Sequence, residues 1–183
     1  MRVAVRVNRP PLSSGLIRSI QGKNLTYYSQ PGLANKAPLK ILLVEDNKID
    51  ARLTRHAFQQ ISDWPSTIEV VDDGEKALRF LRRQRSYEQA ERPDLVILDL
   101  NLPKYDGTEV LQVIRSSAEL EDLMVFIFSS SPVDVAEERM QNANVSADCY
   151  FEKPSEVGSY FLIAAEIRER YLLATGGRRS ATA

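Results

Sequence analysis

The sequence has little of what disulfide frameworks and histidine-based metal centres require, since its 183 residues include one cysteine, Cys149, and one histidine, His56. A single cysteine excludes an internal disulfide and fits a reducing cytosol, so we expect a cytoplasmic location. One histidine cannot build a cluster of imidazole ligands. No apolar run approaches the roughly 20 residues that a membrane-spanning helix needs, and the sequence therefore predicts no membrane span.

Acidic residues are absent from the first 38 positions, where six basic side chains lie among turn-forming prolines and glycines. The rest of the chain has 18 basic and 25 acidic side chains, a net charge of −7. An acidic body argues against nucleic-acid binding, because phosphate backbones attract clusters of lysine and arginine. We expect residues 1–38 to be a flexible basic extension. Its composition is equally compatible with contact to anionic lipid, contact to an acidic partner, or no contact at all.

Acidic and hydroxyl side chains follow three short apolar runs, at the point where each run ends. They are Glu45 with Asp46, Asp99, and Ser129. Continuous short apolar runs are typical of strands buried on both faces of a parallel sheet, whose carboxyl ends meet in one crevice. Three carboxylates gathered there would repel one another unless a cation lay among them, so the pattern predicts a Mg²⁺ site. Lys153, after a fourth segment, brings a positive charge to the same crevice.

Strand-like and helix-like segments alternate from residue 40 onward. We predict strands at about 40–45, 67–71, 95–99, 125–128 and 147–151, each followed by a helix. Ser131 is the predicted N-cap of the fourth helix, and Ser155 that of the last helix, at 156–173. Five such units make an α/β fold of the (βα)₅ type, doubly wound around a parallel five-stranded sheet. The domain would span residues 39–174, followed by a flexible tail at 175–183.

Four motifs are together similar to those of the receiver domain of two-component response regulators. They are Glu45-Asp46, the segment 99–107, Ser129 and the segment 150–154. The chain resembles in particular the single-domain response regulators associated with bacterial, especially cyanobacterial, phytochromes. The resemblance covers about residues 39–173 and implies the flavodoxin-like receiver fold, with strand order 2-1-3-4-5.

The resemblance assigns the phosphoacceptor and the metal ligands. Asp99 would attack phosphorus to form an acyl phosphate, the covalent route open to a carboxylate. Asp46 would bind Mg²⁺ directly, and Asp99 and the backbone carbonyl of Asn101 would complete the protein ligands. Glu45 would act through water, and it stands where the family more often has aspartate.

Three further residues match positions that contact or follow the phosphoryl group in the family. Ser129 would bond a phosphoryl oxygen, Lys153 would neutralise its charge, and Tyr150 would turn inward once the hydroxyl is recruited. The family's lysine also precedes a cis-proline, which here is Pro154.

The resemblance implies a signalling function and not an enzyme. The expected phosphodonor is a sensor histidine kinase or a phosphotransfer protein, with a phytochrome as a candidate kinase. The donor must be another protein, because His56 lies in the middle of a predicted helix, away from the strand ends. Output in this Mg²⁺-dependent phosphorelay would be protein–protein contact, including a homodimer through the last strand and helices. In such a dimer Tyr160 and Tyr171 would reach the surface.

Other functions are compatible with parts of the pattern. A receiver that acts as a phosphate sink, or as an adaptor that does not switch, would have the same site residues. An aspartate-nucleophile phosphatase of the haloacid dehalogenase type needs a general acid two residues after its nucleophile, where Asn101 has an amide that cannot deliver a proton. A flavin carrier of the same fold is disfavoured, because three carboxylates between Glu45 and Asp50 would repel its phosphate group.

Overall fold

The structure of the protein is a computed structural model that describes residues 37–61 and 65–176. Nearly all of the predicted basic extension and of the predicted tail therefore lies outside the described residues. Within them, no helix is both long and apolar enough to cross a membrane. Strands and α-helices alternate, and a 3₁₀ turn at Arg85–Tyr87 lies between the second α-helix and the third strand. The elements are β1 (Leu39–Val44), α1 (Lys48–Gln59), β2 (Ser66–Val71), α2 (Gly74–Leu81), β3 (Leu95–Leu98), α3 (Gly107–Ser116), β4 (Met124–Ser129), α4 (Val133–Asn142), β5 (Cys149–Glu152) and α5 (Ser159–Ala174).

The strands lie in one parallel sheet of order β2-β1-β3-β4-β5, which confirms the predicted fold class. β1 pairs with both β2 and β3, so the direction of winding reverses beside these strands and a crevice forms at their carboxyl ends. The register pairs Val44 with Leu98. The next residues along β1 and β3, Glu45 and Asp99, consequently leave the sheet side by side.

Two apolar clusters cover the two faces of the sheet and account for the uninterrupted apolar runs. Leu42 and Val44 of β1 belong to the cluster that α2, α3 and α4 complete. Ile41 and Leu43 belong to the cluster that α1 and α5 complete. Successive side chains of a strand point to opposite faces, so a strand buried on both faces has apolar residues at every position. That burial fixes the register of the central strands and the position of the acidic residues that follow them.

The fourth and fifth helices begin differently from the prediction. The N-cap of α4 is Pro132, and no side chain caps this helix. The predicted cap, Ser131, turns toward the crevice instead, where its Oγ accepts a hydrogen bond from Asn101 Nδ2 at 3.2 Å. α5 begins only at Ser159, because residues 155–158 form a separate bend and turn, and the serine predicted to cap this helix lies outside it.

Two tyrosines of α5 face the core, so the prediction that they reach the surface is wrong. Tyr160 and Tyr171 are each 5% exposed. The ring of Tyr160 packs edge-on against Phe128 of β4, with 5.9 Å between ring centroids. The large apolar side chains that α5 does expose are Leu162 and Leu173.

Candidate functional site

Glu45, Asp46 and Asp99 meet at the carboxyl ends of β1 and β3, as the sequence predicts. One carboxylate oxygen of each lies within 4.8 Å of the other two. Glu45 and Asp99 are buried, whereas Asp46 is exposed. The main chain fixes the arrangement, since the N–H of Asp99 donates to the carbonyl of Val44 at 3.0 Å and that of Glu45 to the carbonyl of Val71 at 2.9 Å. The result is an acidic pocket that is open to solvent on one side.

Lys153 brings an ammonium group into the pocket. Its Nζ lies 2.6 Å from Asp99 Oδ2, 2.6 Å from Glu45 Oε2 and 3.3 Å from Asp50 Oδ2, and the side chain is 7% exposed. Lys153 directly follows β5, and its main-chain N–H donates to the carbonyl of Ser129, the last residue of β4, at 2.9 Å. This bond positions the lysine. Burial lowers the pKa of Lys153, but hydrogen bonds to Asp99 and Glu45 and the charges of these two residues outweigh burial and raise the pKa overall. The lysine is therefore a cation in the pocket.

Glu45 is a buried carboxyl group beside a second carboxylate, and its pKa reflects both conditions. Burial raises the pKa of Glu45 to about 7, and the charge of Asp99 adds to this effect. The hydrogen bond and charge of Lys153 and the N–H of Asn47 oppose the shift without cancelling it. Mg²⁺ takes oxygen ligands and commonly binds through only one or two carboxylates and several waters. The residues present therefore fit a divalent cation.

Both oxygens of Asp99 accept hydrogen bonds from residues that the sequence singled out. The Ser129 hydroxyl donates to Oδ1 at 2.7 Å, and the main-chain N–H of Asn101 donates to the same oxygen at 3.0 Å. Lys153 Nζ donates to Oδ2 at 2.6 Å. Ser129 is completely buried, since it ends β4 between β3 and β5. The structure thus brings the candidate acceptor, the hydroxyl and the ammonium group into direct contact, with Asn101 beside them.

Tyr150 is directed inward, with 3% of the residue exposed. Its hydroxyl donates to the main-chain carbonyl of Ser131 and lies 3.5 Å from the carbonyl of Ser129. Burial, together with the charges of Glu152 and Asp99, raises the pKa of Tyr150 to about 12, so the hydroxyl keeps its proton. This side chain therefore ties β5 to the connection between β4 and α4.

The start of α3 approaches the end of β3 closely because its first residue is a glycine. A Cβ atom on Gly107 would lie 2.1 Å from the carbonyl oxygen of Asp99, which no side chain could tolerate without displacing the strand end. The side chain of Asp106 caps α3 by accepting hydrogen bonds from the main-chain N–H groups of Thr108 and Glu109, in a capping box. In the loop between β3 and α3, Lys104 Nζ lies 2.6 Å from Oδ2 of Asp73, the N-cap of α2. The loop is thus held against the sheet and against α2.

A protein family model matches most of the described chain, namely the response regulator receiver domain, over residues 41–161. The chain belongs to the response regulator receiver family. The match begins within β1 and ends within α5, so it includes the pocket and all of its charged residues.

Several relatives are similar to this chain over nearly their whole length. Response regulator Rcp1 of Synechocystis sp. is 34% identical over 139 residues, which cover 74% of this chain and 90% of Rcp1. The crystal structure of the phosphorylated cyanobacterial phytochrome response regulator RcpA has 39% identity and a TM-score of 0.67, and the match covers 74% of this chain and 95% of RcpA. That of the Mn²⁺-bound form of Rcp1 has 31% identity and a TM-score of 0.64, over 79% of this chain and 98% of Rcp1. The resemblance that the motifs indicate is confirmed.

Receiver domains bind a divalent metal at an acidic pocket, and the pocket of Glu45, Asp46 and Asp99 is of this kind. The proline after Lys153 departs from the pattern that the resemblance implies. The described residues contain no cis peptide bond, so the bond before Pro154 is trans. His56 lies on α1, where its ring packs edge-on against Phe161 of α5 at 5.7 Å between centroids. It faces α5 and makes no contact with the pocket.

Sequence reasoning missed Asp50, which enters the pocket of the receiver domain from the first turn of α1. Asp50 Oδ2 lies 3.3 Å from Lys153 Nζ, and Oδ1 accepts a hydrogen bond from the Tyr160 hydroxyl at 2.8 Å. The available signal is its spacing of four residues after Asp46, which places both carboxylates near the same end of α1. Its tyrosine partner lies 110 residues farther along the chain, in α5, where no local pattern could reveal it.

Proposed function

We propose that this receiver domain is a single-domain response regulator that accepts a phosphoryl group on Asp99 in an Mg²⁺-dependent phosphorelay. The donor is a sensor histidine kinase or a phosphotransfer protein, and the output is contact with another protein. The observation that supports this most directly is the pair of contacts to Asp99. The Ser129 hydroxyl lies 2.7 Å from one carboxylate oxygen, and the Lys153 ammonium group lies 2.6 Å from the other.

In the proposed transfer, a carboxylate oxygen of Asp99 attacks the phosphorus of a phosphohistidine. The bond between phosphorus and the donor nitrogen breaks, and an acyl phosphate remains on Asp99. Charge spreads over the three equatorial phosphoryl oxygens, so positioning and charge neutralisation supply most of the rate enhancement. Lys153 is a buried cation beside the attacking carboxylate, and the Ser129 hydroxyl is a buried donor on its other side. Each is placed to pair with one of those oxygens.

Asp46, Asp99 and the backbone carbonyl of Asn101 are the proposed direct ligands of Mg²⁺, and Glu45 would contact the cation through water. The bound cation would neutralise part of the phosphoryl charge. Three observations support this assignment: the converging carboxylate oxygens, the raised pKa of Glu45, and the Mn²⁺-bound form of the relative Rcp1. Because Lys153 lies 2.6 Å from Glu45 Oε2, we assign Glu45 a water-mediated contact with the cation.

The proposed switch connects Ser129 to Tyr150. When Asp99 carries a phosphoryl group, the Ser129 hydroxyl exchanges its bond to the free carboxylate for one to a phosphoryl oxygen. The Tyr150 hydroxyl faces the carbonyls of Ser131 and Ser129, so a shift of Ser129 alters the acceptors of the tyrosine. Such a local electrostatic event can bias the surface formed by α4, β5 and α5 between two states.

Exposed apolar side chains beside the pocket support the docking of a donor protein. Ile49, in the first turn of α1, is 69% exposed, and Val157, in the turn that follows Lys153, is 58% exposed. A phytochrome is the proposed kinase, because the relative RcpA is described as a cyanobacterial phytochrome response regulator. Exposed apolar patches of this kind commonly mark protein contacts.

The remaining features of the proposal concern the whole chain. We assign residues 39–174 to the receiver domain, residues 1–38 and 175–183 to flexible extensions, and the protein to the cytoplasm. The acidic body supports the absence of nucleic-acid binding, and the acceptor chemistry supports a role without catalytic turnover. Leu162 and Leu173, exposed on α5, support a homodimer through the last strand and helices.

Intact mass after incubation with acetyl phosphate and Mg²⁺ tests the proposed acceptor. The wild type should gain one phosphoryl group, and chelation of the metal should abolish the gain. Asp99→Asn is the matched control, because it keeps the size of the side chain and removes the nucleophile. Folded wild type that gains no mass would contradict the proposed function, and Asp99→Asn that does gain mass would contradict the assignment of the acceptor.

A further inference from the structure

One arginine of α4 reaches across to the loop that follows Asp99. Arg139 Nη1 donates to Asn101 Oδ1 at 3.0 Å, and Nη2 donates to the carbonyl of Leu100 at 3.1 Å. Nη2 also lies 3.7 Å from Oδ2 of Asp106, which is the N-cap residue of α3. The guanidinium is a planar fork, so its two hydrogen bonds fix direction as well as distance. This contact joins α4 directly to the residues that flank the candidate acceptor.

The arginine determines which way the Asn101 amide faces. A guanidinium group only donates hydrogen bonds. The Asn101 atom that faces Arg139 must therefore be the amide oxygen, which accepts, and not the amide nitrogen, which donates. The nitrogen must face the opposite side, where Nδ2 lies 3.4 Å from Ser129 Oγ and 3.2 Å from Ser131 Oγ. Ser129 Oγ in turn lies 2.7 Å from Asp99 Oδ1. The amide is therefore held at the mouth of the pocket, beside the hydroxyl that contacts the acceptor.

Charge attraction alone does not account for the arrangement. The ion pair between Arg139 and Asp106 is long and partly exposed, and such pairs contribute little to stability. The two shorter hydrogen bonds reach neutral groups, the amide of Asn101 and the carbonyl of Leu100. The geometry thus points to a role in orientation.

We propose that Arg139 is a positioning residue that slows the hydrolysis of the acyl phosphate on Asp99 by orienting the Asn101 amide. This inference rests on the proposed function. In the hydrolysis, water attacks phosphorus and the bond from phosphorus to the Asp99 carboxylate oxygen breaks. Inorganic phosphate leaves, the free carboxylate is restored, and the proton of the water passes to phosphate and solvent. The oriented amide occupies the side of the pocket next to Ser129 and so hinders the approach of water.

The lifetime of the phosphorylated protein tests this role. Each protein is phosphorylated with acetyl phosphate and Mg²⁺, freed of the donor by rapid desalting, and followed by intact mass over time. Arg139→Ala should shorten the lifetime by about fivefold, the effect of one hydrogen bond, and Asn101→Ala should do the same. Because both changes act on the same amide, the double variant should decay no faster than Asn101→Ala. Arg139→Lys keeps the charge but loses the fork, and it should behave like Arg139→Ala.

Arg115 of α3 provides the matched control. Its guanidinium also donates to loop carbonyls, those of Leu123 at 2.8 Å and Ser146 at 3.1 Å, and it pairs with Asp148. These contacts lie at the amino ends of β4 and β5, whereas the pocket lies at the carboxyl ends of the strands. Arg115→Ala should lower the free energy of unfolding and leave the phosphoryl lifetime unchanged.

Three results would overturn the inference. In the first two, Arg139→Ala or Arg139→Lys keeps the phosphoryl lifetime of the wild type. In the third, the separate effects of Arg139→Ala and Asn101→Ala on the lifetime multiply in the double variant. Each of these leaves the proposed function intact, because the wild type is still phosphorylated. A wild type that takes up no phosphoryl group overturns the proposed function, and this inference with it.

Discussion

Replacement of Lys153 by methionine should reveal the repulsion between the carboxylates that surround the lysine. Its Nζ lies within 3.3 Å of oxygens on Glu45, Asp50 and Asp99, and its side chain is 7% exposed. Methionine has a similar length and no charge, so the variant leaves these three carboxylates without their ammonium partner. Removal of one partner from a buried ion pair costs about 3–5 kcal/mol. We expect the free energy of unfolding of the metal-free protein to fall by about 3 kcal/mol near pH 8.

Two changes of condition should reverse this loss. Without the lysine, its hydrogen bond and charge no longer oppose the effect of burial on Glu45, so the pKa of Glu45 rises further above its unfolded-state value. The folded state then binds a proton that the unfolded state does not. The stability of Lys153→Met is therefore highest at low pH and is lost as the pH rises through the raised pKa of Glu45. Mg²⁺ should also restore stability, because a cation that binds only the folded state stabilises it.

Urea unfolding in EDTA at about pH 6 and about pH 8, repeated with Mg²⁺, measures these effects. Lys104→Met is the matched control. Lys104 Nζ lies 2.6 Å from Asp73 Oδ2, but its side chain is 53% exposed and Lys76 remains 3.9 Å from the same carboxylate. This control should lose much less stability than Lys153→Met and gain no pH dependence, because solvent screens an exposed ion pair. Lys153→Met as stable as the wild type at the higher pH in EDTA would refute the reasoning.

Two further changes test the packing and the protonation of the pocket. Gly107→Ala should lower the free energy of unfolding by about 1–3 kcal/mol, because its Cβ would lie 2.1 Å from the Asp99 carbonyl oxygen. An unchanged urea midpoint would contradict that expectation. In EDTA the wild type should lose about 3 kcal/mol as the pH rises from 4.5 to about 7, since burial raises the folded-state pKa of Glu45 and ionisation then costs the folded state more. Glu45→Gln should flatten this slope, and a slope of the same size in Glu45→Gln would show that another group is responsible.

The sheet and the acidic cluster could be predicted because they depend on short-range patterns. Strands buried on both faces are apolar at every position, so their ends are visible in the sequence as the points where acids and hydroxyls begin. The carboxyl ends of neighbouring parallel strands share one edge. Glu45, Asp46, Asp99 and Ser129 were therefore expected together, and the structure places them together.

The contacts made by helices were harder to predict, because helical periodicity shows which face is apolar and not what the polar residues reach. Asp50 reaches Lys153 and Tyr160 across 103 and 110 residues of chain. Arg139 reaches Asn101 across 38 residues. The tyrosines of α5 were misplaced for a related reason. A helix that covers a sheet buries more than one apolar stripe, and the sequence does not show where that face ends.

Asp99 is held by contacts from three parts of the fold, and this determines what phosphorylation can change. Oδ1 accepts from the Ser129 hydroxyl and the Asn101 N–H, while Oδ2 accepts from Lys153. An oxygen that forms a bond to phosphorus loses its negative charge and becomes a weaker acceptor, so its donors must find the phosphoryl oxygens instead. That exchange acts on β4 through Ser129, on β5 through Lys153, and on α4 through the link from Asn101 to Arg139. β4 and β5 are neighbours in the sheet, so in the proposed switch a change at a single carboxylate would act on adjacent elements of the fold.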